Sequence, residues 1–487
     1  MRWAWLALGL VSLPSWAEAG DGRALTYEEA LTQALESNPS LRRARLDRDA
    51  AQSSVLSARG QFDPTLGIDG SWRQSRSKGF FQGFPFDSES RSWDLGTNVR
   101  GSVGTGTSYS LDAGLDRNFS SFTTNFGGVG ASEQIQDAYT SNMSVSVTQQ
   151  LLKGLRTSFN LQNVTRARQG LTTAELSLEK ARQDVLAQTA AAYWAWFYQE
   201  RLRAIAEESS ANAEEDLRVV ALRVEAGDLP PVERTRLEAA LVQAQASALD
   251  AADSAQKAAD DLLLLIGGTP GESLAPASKP GDVRPLELDV EAALGVALAQ
   301  NLDLALARAQ LEAAELDATN ARHARLPSLS ATGSAGIGAQ DTTASAALSG
   351  VFDSDAFPFL SVAGSFSVPI GNRAARGESE RLAITESQRR NSVTELETSI
   401  GSQVRQQVRV LESSRRRVEL ADANLRLAEE TLDAEEALAQ VGRKIQKDVL
   451  EARTQVDRTR AEAAKARTDY RLAEVELLRL QGQLTEE

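Results

Sequence analysis

The sequence predicts an α+β membrane protein built from two tandem copies of one unit, each joining amphipathic strands to a pair of very long coiled-coil helices. Three observations carry this. Apolar residues recur at a step of seven through long stretches of the chain. Two phenylalanine-rich blocks alternate apolar and polar residues instead. Offsetting the chain against itself by 263 residues brings like residues into register.

The first segment is an address. Met1-Arg2 is a short positive start, Trp3 to Leu13 is an apolar run, and Ala17-Glu18-Ala19 is a small-residue cleavage signal, so residues 1–19 are expected to be a signal peptide. The run is too short to span a bilayer, and past it the longest apolar run is Leu262 to Ile266. An exported chain without a membrane helix is either periplasmic or an outer-membrane β-barrel. With no cysteine to acylate, a lipid anchor is not expected.

Long helices exclude interior proline. None occurs between Phe86 and Leu229 or after Pro369. A heptad runs Val164, Leu171, Leu178, Val185, Ala192, and another runs Leu237, Ala244, Ala251, Ala258, Leu265. The second half repeats this with Val404, Leu411, Val418, Leu425, Leu432 and then Val449, Val456, Ala463, Tyr470, Leu477. Alanine-rich seams imply close backbone approach. Thr157 to Ala226 as one continuous helix would reach on the order of 100 Å, longer than a compact domain needs.

Strands occupy the blocks that hold twelve of the fourteen phenylalanines. From Leu95 to Leu115 the odd positions are mostly apolar or Thr and the even ones Gly, Asn, Arg, Ser or Asp, interrupted by Gly104-Thr105-Gly106. Tyr139–Leu151, Leu329–Ile337 and Leu360–Ile370 alternate in the same way. Ten-residue segments of this kind, between turn-rich loops, are the transmembrane-barrel pattern. The first block reads as four strands, near Thr65–Trp72, Trp93–Val103, Thr107–Phe119 and Tyr139–Leu151, giving six per chain. Equally open is that Thr107 to Ala138 forms an outer loop or a hairpin outside the membrane plane.

The two copies are then delimited. Asn38, Pro64 and Leu66 match Asn301, Pro327 and Leu329 at the 263-residue offset, and Gly227 and Gly267 match Gly442 and Gly482 at an offset of 215. The expected boundaries are 20–267 for the first repeat, with β-block 62–151 and helical hairpin 155–266. A Pro/Gly linker follows at 268–286, and then the second repeat, 287–484, with β-block 326–370 and hairpin 374–481.

Composition excludes much chemistry. Against 52 Lys and Arg stand 67 Asp and Glu, giving a charge of −15, with one histidine and no cysteine. A thiolate zinc site, an iron–sulfur cluster, a thiol nucleophile and a two-histidine metal site are all impossible. Net acidity argues against a nucleic-acid partner. His323 ends a helix before Pro327 and reads as a surface residue, not a ligand. No nucleophile or base constellation stands out, so no catalytic, cofactor or metal residue is assigned.

Three motifs then carry a resemblance: Leu25 to Pro39 (LTYEEALTQALESNP), Val147 to Gly154 (VTQQLLKG) and Ala439 to Arg453 (AQVGRKIQKDVLEAR). In this order, and within a duplicated chain, they resemble the TolC-like outer-membrane efflux family from about Leu25 to Leu484. The resemblance implies a trimeric transmembrane β-barrel continuing into a long periplasmic α-helical coiled-coil barrel. It implies a non-enzymatic exit duct of a tripartite efflux or type I secretion system, homotrimeric and embedded in outer-membrane lipid. An inner-membrane pump and a periplasmic adaptor would dock on it. By the same resemblance, Val224 to Gly227 and Val441 to Gly442 are adaptor-docking tips. Asp448 matches one acid of a pore ring and Glu451 stands where the family has a second Asp; Lys444 stands at a basic latch position with Glu233 as its acidic partner. Ala439 replaces a latching aromatic, a departure from the family's closing contacts. The heptads alone would also allow a periplasm-spanning tether without transport; the amphipathic strands favour the duct.

Overall fold

The computed structural model describes residues 23–484 apart from 82, 126–130, 282–288, 354–355, 442 and 445. The expected signal peptide, Gly442 and part of the expected linker lie outside the described residues. In chain order the elements begin with β1 (Arg23–Leu25), α1 (Tyr27–Ser37) and α2 (Pro39–Arg59). Four strands follow, β2 (Thr65–Phe81), β3 (Phe84–Val103), β4 (Thr107–Asn125) and β5 (Ala131–Gln150). Then come α3 (Thr157–Asn160), α4 (Gln162–Glu225), α5 (Pro231–Ile266), β6 (Leu274–Pro276), α6 (Val290–Gln300) and α7 (Leu302–Ala324). The chain ends with β7 (Ser328–Asp341), α8 (Ala344–Gly350), β8 (Phe357–Ser367), α9 (Arg373–Gln440) and α10 (Gln446–Leu480). It divides into two compact units: residues 23–44, 178–302 and 397–484 in one, 45–177 and 303–396 in the other.

The first unit is helical apart from the short parallel pair β1–β6. Its core gathers Leu25, Leu31, Leu186, Tyr193, Trp196, Leu262 and Leu263, all essentially solvent-free. Thr26 and Glu29 close a capping box at the start of α1, satisfying two backbone donors. Along α10 the heptad Val449, Val456, Ala463, Tyr470, Leu477 is buried throughout. The internal duplication appears here as chemistry. Buried Asn38 donates its side-chain amide to the Leu265 carbonyl at 3.0 Å, and Asn301 donates to Leu480 at 2.9 Å. The first residues of the two pairs differ by 263 and the second by 215, the same offsets as in the sequence.

The second unit is a six-stranded antiparallel sheet ordered β2-β3-β4-β5-β7-β8. Thr107 to Asn125 pairs on both sides, with β3 and with β5, so it is strand and not an outer loop. The side-chain period of two sorts the faces. One row reads Leu66, Val99, Leu111, Val145, Ala335, Leu360 across all six strands. The adjacent row on the opposite face reads Gly67, Asn98, Asp112, Ser144, Gly336, Phe359. The strands are longer than the apolar alternation, at 17 to 20 residues for β2 to β5. Beyond the row Trp72, Trp93, Arg117, Tyr139, pairing continues through Arg76–Asp87 at 3.1 Å and Arg117–Asp137 at 2.7 Å. The β3–β4 turn needs Gly106 at φ 79°, where a Cβ would collide with the Gly154 carbonyl. The loop between β7 and β8 folds into α8, and its Ala347 carbonyl accepts the Ser141 hydroxyl on the sheet.

Candidate functional site

Two regions are the candidates for function: the strand wall and the helical tips. On the wall, one face is a band of exposed apolar side chains, including Ile68, Trp72, Leu95, Leu360 and Val362. The other is polar, with Asn98 donating to Asp69 at 2.8 Å and Thr148 paired with Thr332 at 2.9 Å. Such a sheet is stable in bulk water on one side only. Among the described residues no single helix is long and apolar enough to cross a membrane. The strands supply an extended apolar surface that alternates with a hydrophilic one, the arrangement of a barrel wall between lipid and a wet lumen.

At the tips the long helices turn back. After α4 the chain turns through Gly227 at φ 82°, with Asp228 donating to the Arg223 carbonyl at 2.9 Å. Pro230 and Pro231 then start α5, where the missing N–H groups cost nothing. Val224 and Gly227 lie in this turn. Val441 follows α9 and is 69% exposed. Glu233, Lys444 and Ala439 line one cavity of about 370 Å³ with Val220, Leu237 and Leu450. Ala439 contributes only a methyl group to the cavity wall. Within the chain, Lys444 pairs with Glu435 at 3.2 Å and Asp448 at 3.6 Å. Its hydrogen bond to Glu435, then the charges of Glu435 and Asp448, hold the ammonium pKa above its ordinary value. Glu233 pairs with Arg236 at 3.1 Å, and Glu451 with Lys447 at 3.2 Å. The residues are therefore brought to one tip, but Lys444 and Glu233 hold different partners within the chain.

Sequence reading missed a second ionic device beside the tip. Arg453 reaches Asp216 on α4 at 3.1 Å and Glu436 on α9 at 2.8 Å. One heptad along α10, Arg460 reaches Glu208 at 3.1 Å and Glu429 at 3.6 Å. One heptad further, Arg467 reaches Asp422 at 3.0 Å. Three arginines seven apart thus meet acids seven apart on antiparallel α9, and the first two also hold α4. The signal was present in the spacing, but an isolated helix gives no reason to match it to acids elsewhere. Burial opposes the charge on Arg453, yet Glu436 and Asp216 outweigh it and keep the guanidinium pKa raised.

Asp457 lies within this ladder, and burial pushes its pKa above the ordinary carboxylate value despite Ser209 and Arg460. A folded acid with a raised pKa binds protons that the unfolded chain has released, so its ionisation destabilises the fold as pH rises through the raised value. Asp457→Asn is therefore expected to raise the melting temperature at pH 7, with the gain shrinking as pH falls toward 4. Thermal scans at both values check this; a gain that grows on acidification would reverse the sign.

His323 is half-buried at the end of α7, edge-on to Phe159 at 5.1 Å. Burial, then Arg156 and Lys153, lowers its pKa, which suits a packed neutral ring. Among the described residues no group of three or more His, Asp or Glu side chains could hold a metal.

A sheet with one apolar and one polar face, in a chain that also carries helices of 64 and 68 residues, has the make-up of a channel-forming outer-membrane protein. The comparisons agree. The family model for outer membrane efflux proteins matches residues 108–268 and 293–483. The fold is similar to the CmeC outer membrane channel of Campylobacter jejuni, with TM-score 0.67, 14% identity and coverage of 96% of this chain and 90% of that one. VceC of Vibrio cholerae aligns with TM-score 0.65 at 17% identity over 94% and 96% of the two chains. The open state of the MtrE outer membrane channel of Neisseria gonorrhoeae aligns with TM-score 0.66 at 20% identity over 94% and 88%. At these identities the likeness is one of fold. None of the curated proteins compared matches the chain in sequence. The chain belongs to the outer membrane efflux protein family: it is an efflux channel of the outer membrane extending into the periplasm, with no enzymatic activity.

Proposed function

We propose that three copies of the chain assemble into one continuous duct, eighteen strands in the outer membrane and a helical tube below it. The observation that carries this is the sheet edge. Among the described residues β2 and β8 each have one strand neighbour, so the sheet is open, and a lipid-exposed open edge leaves backbone groups unpaired. Joining β8 of one copy to β2 of the next removes every edge. The exposed apolar residues Val242 and Leu249 of α5, and Leu420 and Leu427 of α9, are the helical surfaces that further copies would cover. Reconstruction of the purified assembly is expected to count eighteen strands; twelve would overturn the arrangement.

In this reading substrates arrive from an inner-membrane pump through a periplasmic adaptor, which docks at the tips around Val224, Gly227, Val441 and Gly442. Asp448 and Glu451 ring the entrance on the threefold axis, focusing cations there. Lys444 and Glu233, which hold other partners within one chain, latch the entrance shut in the assembled duct. Single-channel recording tests the assignment. Asp448→Ala and Glu451→Ala are expected to reduce cation selectivity, and Lys444→Ala to raise resting conductance. Unchanged selectivity would sink the acid ring, and a wild-type resting conductance would sink the latch. A wild-type protein with no conductance at all, and a deletion strain with unaltered drug tolerance and secretion, would favour a structural tether instead.

A further inference from the structure

The charge of the sheet is unevenly placed along its strands. Four ten-residue segments join strands to helices: 55–64, 151–160, 318–327 and 368–377. Together they hold seven Arg and Lys residues and one acid, Asp63, in a chain whose net charge is −15. At the other end of the sheet, the described residues of segments 78–87, 121–135 and 342–356 include Lys78 against Asp87, Glu133 and Asp353. The helical end is thus a basic collar and the far end is acidic.

The fold draws the collar together. Leu151 donates to the Leu329 carbonyl at 2.7 Å and Lys153 to Pro327 at 3.3 Å, joining the end of β5 to the start of β7. Asn372, at φ 43°, donates its amide to the Arg325 carbonyl at 2.9 Å and joins the start of α9 to the same place. Among the described residues no ion pair joins Arg59, Lys153, Arg156, Arg325, Arg373 or Arg376 to an acid, whereas Arg322 is held by Glu386 at 3.2 Å. Arg156, Arg325, Arg373 and Arg376 are exposed. Interleaved with them is an exposed apolar fringe: Leu152, Leu155, Leu326, Val368 and Ile370. Unpaired cations alternating with apolar side chains at the margin of a hydrophobic band form the surface that meets a negatively charged headgroup layer.

We propose that this collar binds anionic glycerophospholipids of the periplasmic leaflet, their phosphodiesters on Lys153, Arg156, Arg325, Arg373 and Arg376 and their chains against the apolar fringe. The proposal rests on the strands being the membrane-crossing wall, with helices on the periplasmic side. It gives the channel a fixed depth in the bilayer, because the charge asymmetry opposes displacement toward either face.

Native mass spectrometry of the full chain, purified in neutral detergent, tests this with dioleoylphosphatidylglycerol and dioleoylphosphatidylcholine as probes. The wild type is expected to retain phosphatidylglycerol at least tenfold better. Combined Lys153→Gln, Arg156→Gln, Arg325→Gln and Arg373→Gln are expected to remove that preference, while Arg156→Lys, Arg325→Lys and Arg373→Lys keep it. A control with four cations neutralised on the helices (Arg218→Gln, Arg234→Gln, Arg426→Gln, Arg458→Gln) is expected to bind as the wild type. If the fourfold collar variant no longer conducts, the pair Arg156→Gln and Arg325→Gln serves, with a partial loss expected. Equal retention of both lipids by the wild type, or undiminished preference in the Gln variants, overturns the collar. So does equal loss in the control. Conductance separates the two levels: a conducting wild type indifferent to headgroup charge sinks the collar alone, and a non-conducting wild type sinks the channel reading beneath it.

Discussion

Trp196→Ala is expected to destabilise the protein by about 3–5 kcal/mol, the range for truncating a fully buried aromatic residue. Trp196 and Tyr193 are both solvent-free, with ring centroids 5.6 Å apart. Around them lie Leu25 of β1, Leu31 of α1 and Leu262 of α5, so one cavity would loosen elements from both ends of the first copy. The Tyr193 hydroxyl accepts from the Ser278 backbone N–H at 3.1 Å and lies 3.2 Å from the Leu25 carbonyl, to which it can donate. Tyr193→Phe keeps the packing and loses these bonds, so a smaller loss of about 1 kcal/mol is expected. Denaturant titration of the detergent-solubilised protein, followed by helical circular dichroism, separates the two. Comparable losses for the two variants would mean that packing is not the main term here.

Arg453→Met should weaken the helical unit and raise resting conductance together. Removing one partner of a buried pair strands the other charge, and Asp216 has only 11% of its side chain exposed. Because Arg453 itself is 28% exposed, the expected cost is discounted from the fully buried case to about 2 kcal/mol. The ladder predicts a gradient. Arg467 and Asp422 are 48% and 39% exposed, so Arg467→Met should cost at most about 0.5 kcal/mol. Adding Asp216→Asn and Glu436→Gln to Arg453→Met should recover most of the loss, since no uncompensated charge then remains. Melting temperature and single-channel leak are the measurements. Equal effects at Arg453 and Arg467, or no recovery in the triple variant, would show that the ladder is surface decoration.

Much of this architecture was legible in the chain. Heptads report helices because burial selects every third or fourth residue on one face, and Val449, Val456, Ala463, Tyr470 and Leu477 are buried as their spacing required. Alternation reports strands for the same reason at a period of two. Where the far side of a strand is neither lipid nor core, the signal stops although the hydrogen bonds continue. That is why β2 and β3 extend through Arg76, Lys78, Asp87 and Glu89, well past the apolar alternation at Trp72 and Trp93. The helix α8 lies in an alanine-rich loop too short to show a helical period; the Thr343 cap and contact with the sheet help to fix it.

What the sequence determined by itself is therefore the class of the long segments, the apolar face of the wall, the duplication, and the family. Each follows from a local period or from a motif read in order. What the tertiary structure decided is which charge meets which. Arg453 selects Asp216 at a sequence separation of 237, and Arg460 selects Glu208 at 252, whereas Glu233–Arg236 and Lys444–Asp448 are local pairs three and four residues apart. Ion pairing depends on the register between helices distant in the chain. A one-residue change in that register rotates a side chain by about 100°, which no local period records.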